Sequence, residues 1–222
     1  MKAMILAAGR GKRMMPLTAE QPKPMLKING RPLLDYHLSR LKAAGVTEVV
    51  INLAWCGDVI REFCQQGQQW GLQIQYSQEP PQGLETAGGI IQALPLLGDE
   101  PFIVINGDVF TDYDVHSLTQ LHIDPGQAHL VLIENPDHNP SGDFSLCQGA
   151  VKSEGEVCHT FAGIALYHPA FFKGLSADFR PLAPLLREKM TNNQVSGELY
   201  LGKWVDVGTP ERLRQLDLSL KA

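Results

Sequence analysis

Apolar residues fall along this chain in two alternating kinds of block. Short apolar runs at 3–8, 48–52, 102–106 and 130–133 are too brief for helices and read as buried strands. Between the first two, residues 32–45 repeat apolar positions at helical spacing, with Pro32 suited to the first turn and Gly45 to the C-terminal cap. A second helix is predicted over 57–66, an alternating strand over 72–77 and a short helix over 88–97. Strand and helix thus take turns, which predicts a parallel sheet covered by helices on both faces, with a ligand at the C-terminal ends of the strands.

Beyond the run at 130–133 the pattern changes. Residues 143–167 are punctuated by glycine and carry short alternating runs, as expected of hairpin strands beside the main sheet. Helices at 182–190 and 210–220 bracket strands at 196–200 and 204–207, and Thr209-Pro210 supplies an N-cap and a first-turn proline for the last helix. The expected fold class is therefore α/β, a Rossmann-like mixed and mostly parallel sheet flanked by helices. No linker, repeat or charge block divides the chain, so residues 1–222 are expected to form one domain.

Charge alters this picture at one place. The chain carries a net charge of −5, yet residues 2–31 hold Lys2, Arg10, Lys12, Arg13, Lys23, Lys27 and Arg31 against the single acid Glu20. Positive charge concentrated against the trend of the whole molecule implies a polyanionic ligand. Confinement of that charge to one segment, with a pI near 5.8, argues against a nucleic-acid face. The apolar runs are too short to span a bilayer, and the N-terminus lacks the layout of a signal peptide, so the cytoplasm is the default location. Cys56, Cys64, Cys147 and Cys158 show no CxxC spacing and read as reduced thiols; His37 and His168 read as core or surface residues rather than metal ligands.

The basic segment follows the first strand directly, as Gly9-Arg10-Gly11-Lys12-Arg13. It is not a Walker A loop, which needs four residues between its glycines and then Gly-Lys-Ser/Thr. Nor is it a dinucleotide fingerprint, since Met14 stands where a third glycine belongs and the next strand ends in Asn52 rather than an acid. A lone Gly-x-Gly is usually a surface turn, but Arg13, Pro16-Leu17-Thr18 and Pro22-Lys23-Pro24 follow at fixed spacings. Two further strands deliver carboxylates: Asp108 after Asn106-Gly107, and Asp206 between Val205 and Val207. Each alone could merely order a turn or a cap. Together beside a basic loop they suggest a hard-metal site, because Mg²⁺ is typically held by one or two carboxylates plus phosphate oxygens and water.

Residues Leu6 to Thr18, followed by Pro22-Lys23-Pro24, resemble the nucleotidyltransferases that activate sugar 1-phosphates, whose pattern runs Leu-Ala-Ala-Gly-x-Gly-x-Arg-Met-x-Pro-Leu-Thr and then Pro-Lys-Pro. The resemblance implies a nucleotide-binding part over about 1–110 and a sugar-binding part over about 111–222. It also implies Mg²⁺ on Asp108 and Asp206. Transfer would require a sugar phosphate oxygen to attack the α-phosphorus in line, with positioning and charge neutralisation as the protein's task. Arg13 is the candidate for the β/γ-phosphates and Lys23 for the α-phosphate and the sugar phosphate. Leu6, Ala7, Ala8, Gly9 and Gly11 are nucleotide-binding candidates, as are Glu85, Thr86 and Gly88 in a turn that reads Leu-Gly-Thr-Ala-Gly in related enzymes and has Glu85 in place of the first glycine. The Ala8 and Gly9 amides with an acceptor such as Gln78 or Glu79 would read the base, and the residues leave uracil and guanine both open.

Later segments, Asn139 to Phe144, Phe161-Ala162-Gly163-Ile164, Pro181 to Leu186 and Ser196-Gly197-Glu198-Leu199-Tyr200, are similar in order and spacing to the bacterial N-acetylmuramate-1-phosphate uridylyltransferases of peptidoglycan recycling. That resemblance implies UTP and N-acetylmuramic acid 1-phosphate as substrates, a monomer or homodimer, no nucleic acid or membrane partner, and no added β-helix domain. Asn106, Asp143, Gly163 and Glu198 become sugar-side candidates, although turn and strand-edge polarity would explain Asp143 and Glu198 equally. Mannose-1-phosphate guanylyltransferase and glucose-1-phosphate thymidylyltransferase remain open, as does a silent nucleotide-sugar sensor.

Overall fold

A computed structural model describes residues 1–221. The first half runs β1 (Lys2–Leu6), a small hairpin of β2 (Lys27–Ile28) and β3 (Arg31–Pro32), α1 (Leu33–Ala43), β4 (Glu48–Leu53), α2 (Gly57–Cys64), β5 (Gln73–Gln78), α3 (Glu85–Leu97) and β6 (Phe102–Asn106). Then come β7 (Val109–Thr111), α4 (His116–Gln120), β8 (Ala128–Ile133), β9 (Phe144–Cys147), β10 (Ala150–Lys152) and β11 (Cys158–Tyr167). The chain closes with α5 (Leu182–Thr191), β12 (Val195–Tyr200), β13 (Trp204–Asp206) and α6 (Pro210–Ser219).

Nine strands join in the order β5-β4-β1-β6-β11-β8-β12-β10-β9. The half built from β5, β4, β1 and β6 is parallel, as the alternation of strands and helices predicts. The expected mostly parallel, Rossmann-like sheet is nevertheless not what forms. Beyond β6 only the β8–β12 pairing is parallel; β6–β11, β11–β8, β12–β10, β10–β9 and β11–β9 are antiparallel and outnumber the parallel pairings. The β11–β9 pairing also returns the far edge of the sheet to its middle, closing β11, β8, β12, β10 and β9 into a barrel. The physical cause lies in β11. Its ten residues pair with β9 at the start, with β6 along the C-terminal part and with β8 on both sides of a register shift between Phe161 and Ala165, which lets one strand serve both directions. Closure of this kind leaves no bare edge on that side.

Apolar side chains fill both faces of the parallel half. Leu34, Leu38 and Leu41 of α1 and Ile60 of α2 pack on one face with Ile5, Ile51 and Ile105; Ala87, Ile90 and Ala93 of α3 and Leu186 of α5 pack on the other with Met4, Val50 and Val104. A smaller cluster of Met14, Leu26, Ile28, Phe110, Val207 and Leu216 fixes the basic segment against β7 and α6.

Candidate active site

Three parallel strands end at one edge, where Leu6 stands in register with Asn52 on one side and Asn106 on the other. A cleft of about 470 Å³ opens above this row. Asn52 builds its floor: Oδ1 accepts the Ala7 N–H at 2.6 Å, and Nδ2 donates to Glu79 Oε1 at 2.6 Å. Glu79 in turn accepts the Leu84 N–H on Oε2 at 2.9 Å, so one buried relay ties the loop after β1 to the entry of α3. Burial raises the Glu79 pKa above the ordinary carboxylate value, and the hydrogen bonds from Asn52 and Leu84 act in the opposite sense. Glu79 lines the cleft, and both its oxygens are engaged by the protein.

The α3 side of the cleft is formed by residues 82–86. The Ala87 and Gly88 N–H groups both donate to the Arg180 carbonyl, at 3.1 and 3.2 Å. Glu85 and Thr86, which do line the cleft, are left as the first-turn amides that can serve a bound group. Glu85 adopts φ +61°, a left-handed conformation that strains a residue with a Cβ. Gly88 stands outside the cleft, against Asp178.

Gly9, Arg10, Gly11 and Lys12 form the basic end. Thr18 pins this loop by donating from Oγ1 to the Gly11 carbonyl at 2.9 Å, while Trp55 Nε1 donates to the Thr18 carbonyl at 3.1 Å and carries the Arg10 guanidinium over its ring. Arg13 lies in the following 3₁₀ turn, Lys12–Met14, exposed and outside the cleft lining. Lys23 is in a second such turn, Lys23–Met25, and its Nζ reaches Asp108 Oδ2 at 2.7 Å at the cleft edge.

Asp206 comes beside Asp108 through the backbone: β13 pairs with β7, and the Val207 N–H donates to the Asp108 carbonyl at 2.7 Å. Their side chains are engaged separately. Asp206 Oδ2 lies 3.0 Å from Arg212 Nη2 at the side of a second cavity of about 610 Å³, where His138 Nε2 lies 3.0 Å from Oδ1. Among the described residues no group of three or more His, Cys, Asp or Glu side chains gathers as a metal cluster. Adjacent through the backbone, Asp108 and Asp206 offer carboxylates of the kind that a hard divalent ion takes together with phosphate oxygens and water. Asp206 Oδ1 is buried without a hydrogen bond, the His138 ring being close but not aligned to donate to it.

The sugar-side candidates divide. Asn106 lines the cleft, and Gly163 lies directly beneath its amide, with no room there for a side chain. Asp143 is engaged in its own loop, accepting the Phe161 N–H at 2.8 Å and the Asn139 amide at 3.2 Å. Glu198 accepts the Tyr113 hydroxyl on the far strand β12. Neither lines the cleft. Sequence reasoning named Arg10 and Lys12 only as members of the basic segment and passed over Asn52, His138 and Arg212. Asn52 carried a usable signal, since it closes an apolar strand in the same way as Asn106; the pairing of Arg212 with Asp206 had none.

The nucleotidyl transferase family model matches residues 2–159, a span that contains the whole cleft. The chain is similar to an N-acetylmuramate alpha-1-phosphate uridylyltransferase of Neisseria meningitidis serogroup B, 52% identical over 97% of this chain and 96% of that protein. It is 30% identical to a mannose-1-phosphate guanyltransferase of Aspergillus fumigatus, covering 95% of this chain and 62% of that one. Its fold matches a crystal structure of UDP-glucose pyrophosphorylase complexed with UDP-glucose at a TM-score of 0.80, with 18% identity over 99% of this chain and 98% of the other. A fold of this kind is consistent with binding a nucleoside triphosphate and a sugar 1-phosphate, and a divalent cation is the expected cofactor at the level of the family. No helix among the described residues is long and apolar enough to cross a membrane. With a strand-end cleft, a pinned basic loop and relatedness along nearly its full length, the chain belongs to the nucleotidyl transferase family and is a sugar-1-phosphate nucleotidyltransferase.

Proposed function

We propose that the protein couples UTP to N-acetylmuramic acid 1-phosphate, releasing pyrophosphate and forming UDP-N-acetylmuramic acid for peptidoglycan recycling in the cytoplasm. The observation that carries this reading is the 52% identity to the Neisseria uridylyltransferase across both halves of the chain, since the half beyond β6 is where a sugar-specific surface is expected. The triphosphate would lie along Gly9–Lys12, with Ala7, Ala8 and the free amides of Glu85 and Thr86 facing base and ribose. Lys23 places its ammonium at the Asp108 end, where it would hold the sugar phosphate against the α-phosphorus for in-line attack. Arg10 and Lys12 are nearer the cleft than Arg13, whose contact with the β/γ-phosphates would require the loop to close over the nucleotide.

Asp108 and Asp206 would hold Mg²⁺, which supplies neutralisation of charge on the phosphoryl oxygens. With Glu79 occupied within the protein, backbone amides would do the reading of the base. The decisive measurement is therefore kcat/KM for pyrophosphate release with UTP plus N-acetylmuramic acid 1-phosphate beside GTP plus mannose 1-phosphate and dTTP plus glucose 1-phosphate. The muramyl pair is expected to exceed the others by about 10²-fold or more, since a site that hydrogen-bonds its substrate rejects analogues lacking those groups strongly. Efficient turnover of the mannose pair with none on the muramyl pair would replace the substrate assignment.

A further inference from the structure

Asp206, Gly208 and Arg212 form one unit whose geometry goes beyond holding a carboxylate in place. Arg212 Nη2 lies 3.0 Å from Asp206 Oδ2, and Arg212 Nε is buried without an acceptor. Gly208 lies between them: a side chain there would collide with Arg212 Nη2 and come within 2.8 Å of Asp206 Oδ2. At the neighbouring carboxylate Lys23 makes the equivalent contact, 2.7 Å from Asp108 Oδ2. Both pairs are largely shielded, with side-chain exposures of 14% and 30% for Lys23 and Asp108 and of 17% and 20% for Arg212 and Asp206. Two formal negative charges are thus matched by two formal positive ones before any ligand arrives.

We propose that Arg212 is a stand-in cation, neutralising Asp206 so that the divalent ion is admitted together with the polyphosphate and not before it. The inference rests on the metal reading of Asp206. A lone divalent ion would have to displace Arg212 and would leave the locus strongly positive beside Lys23 and the basic loop. A triphosphate reverses that sign, and charge interactions at these separations are large in a partly shielded site. Displacement has somewhere to go, because Arg212 lines the second cavity with Gln215 and Ser219.

The test is a titration of the nucleotide-free protein with Mn²⁺, followed by the electron paramagnetic resonance signal of the free ion, and repeated with UTP. Wild type is expected to bind Mn²⁺ weakly alone and far more tightly with UTP. Arg212→Met should tighten nucleotide-free binding by about tenfold or more and shrink the UTP-induced gain by the same factor, because on this proposal Arg212 is already off Asp206 in the UTP complex. Arg212→Gln should do likewise, and Arg212→Lys should stay near wild type. If the Arg212→Met and Arg212→Gln variants bind Mn²⁺ no more tightly than wild type while Asp206→Asn weakens binding with UTP, the metal reading stands and the stand-in role falls. If Asp206→Asn leaves Mn²⁺ binding with UTP unchanged, the metal reading itself is wrong and the stand-in role falls with it.

Discussion

Asn52 shows how one side chain can set the geometry of a whole cleft. It receives the Ala7 N–H and gives its amide to Glu79, which then holds the Leu84 N–H, so the two loops flanking the cleft share one buried chain of hydrogen bonds. Replacement by alanine leaves a buried donor and a buried carboxylate oxygen without partners, each costing about 1–3 kcal/mol. Asn52→Ala is expected to lower the melting temperature by at least several degrees and to raise the KM for the nucleotide more than it lowers kcat, because Lys23 and Asp108 stand at the other end of the cleft. Thermal unfolding and steady-state kinetics on the same preparation check both halves; an unchanged melting temperature would show that the relay is not needed. The sequence marked Glu79 as an acceptor near the base but gave no sign that its oxygens were already used. Glu85 was more legible. Its departure from the glycine of related enzymes was visible in the sequence, and the structure adds that the position is left-handed, φ +61°.

At the scale of elements, the docking of α3 against the segment before α5 decides where that helix begins. Gly88 has no space for a Cβ, which would collide with the Asp178 carbonyl, and that segment cannot retreat without breaking the Ala87 and Gly88 bonds to Arg180. Gly88→Ala should therefore destabilise by about 1–3 kcal/mol despite alanine's better helix propensity, read as a lower urea midpoint at unchanged m-value. A midpoint equal to or above wild type would show that the segment moves freely. Periodicity predicted α3 over 88–97, while the helix starts at Glu85. Its first turn is fixed by Glu79, only five residues before Leu84, and by Arg180, a partner so distant in sequence that no local pattern could show it. The same reason explains the fold correction. The strands of the second half were recognisable from their alternating runs, but the pairings of β11 with β6 and of β12 with β8 join segments far apart in the chain, and spacing carries no record of them.

Across the whole molecule, buried ionisable groups couple the fold to pH in opposing directions. His37 on α1 is fully enclosed behind the Asp108 turn, and burial first, then the nearby Arg40 charge, lower its pKa to about 4, against smaller opposite effects from Asp108 and the Gly107 and Val109 backbone. Between that value and the ordinary one near 6.5 the unfolded chain takes up a proton that the folded chain refuses. Its contribution to stability is therefore complete above about pH 6.5, declines as pH falls toward 4, and changes no further below that, a total of roughly 3 kcal/mol. Burial likewise lowers the pKa of His129 and acts in the same sense. Glu79 acts oppositely: its raised pKa favours the folded state at low pH, an advantage lost as pH rises through the folded value. The difference between wild type and His37→Asn isolates the first term. Urea midpoints taken with a chelator from about pH 4.5 to 7.5 should show the variant less stable at neutral pH but with a distinctly shallower loss on acidification, so that the two curves converge at the acid end. Parallel curves across this range would mean that His37 is protonated as easily in the fold as out of it.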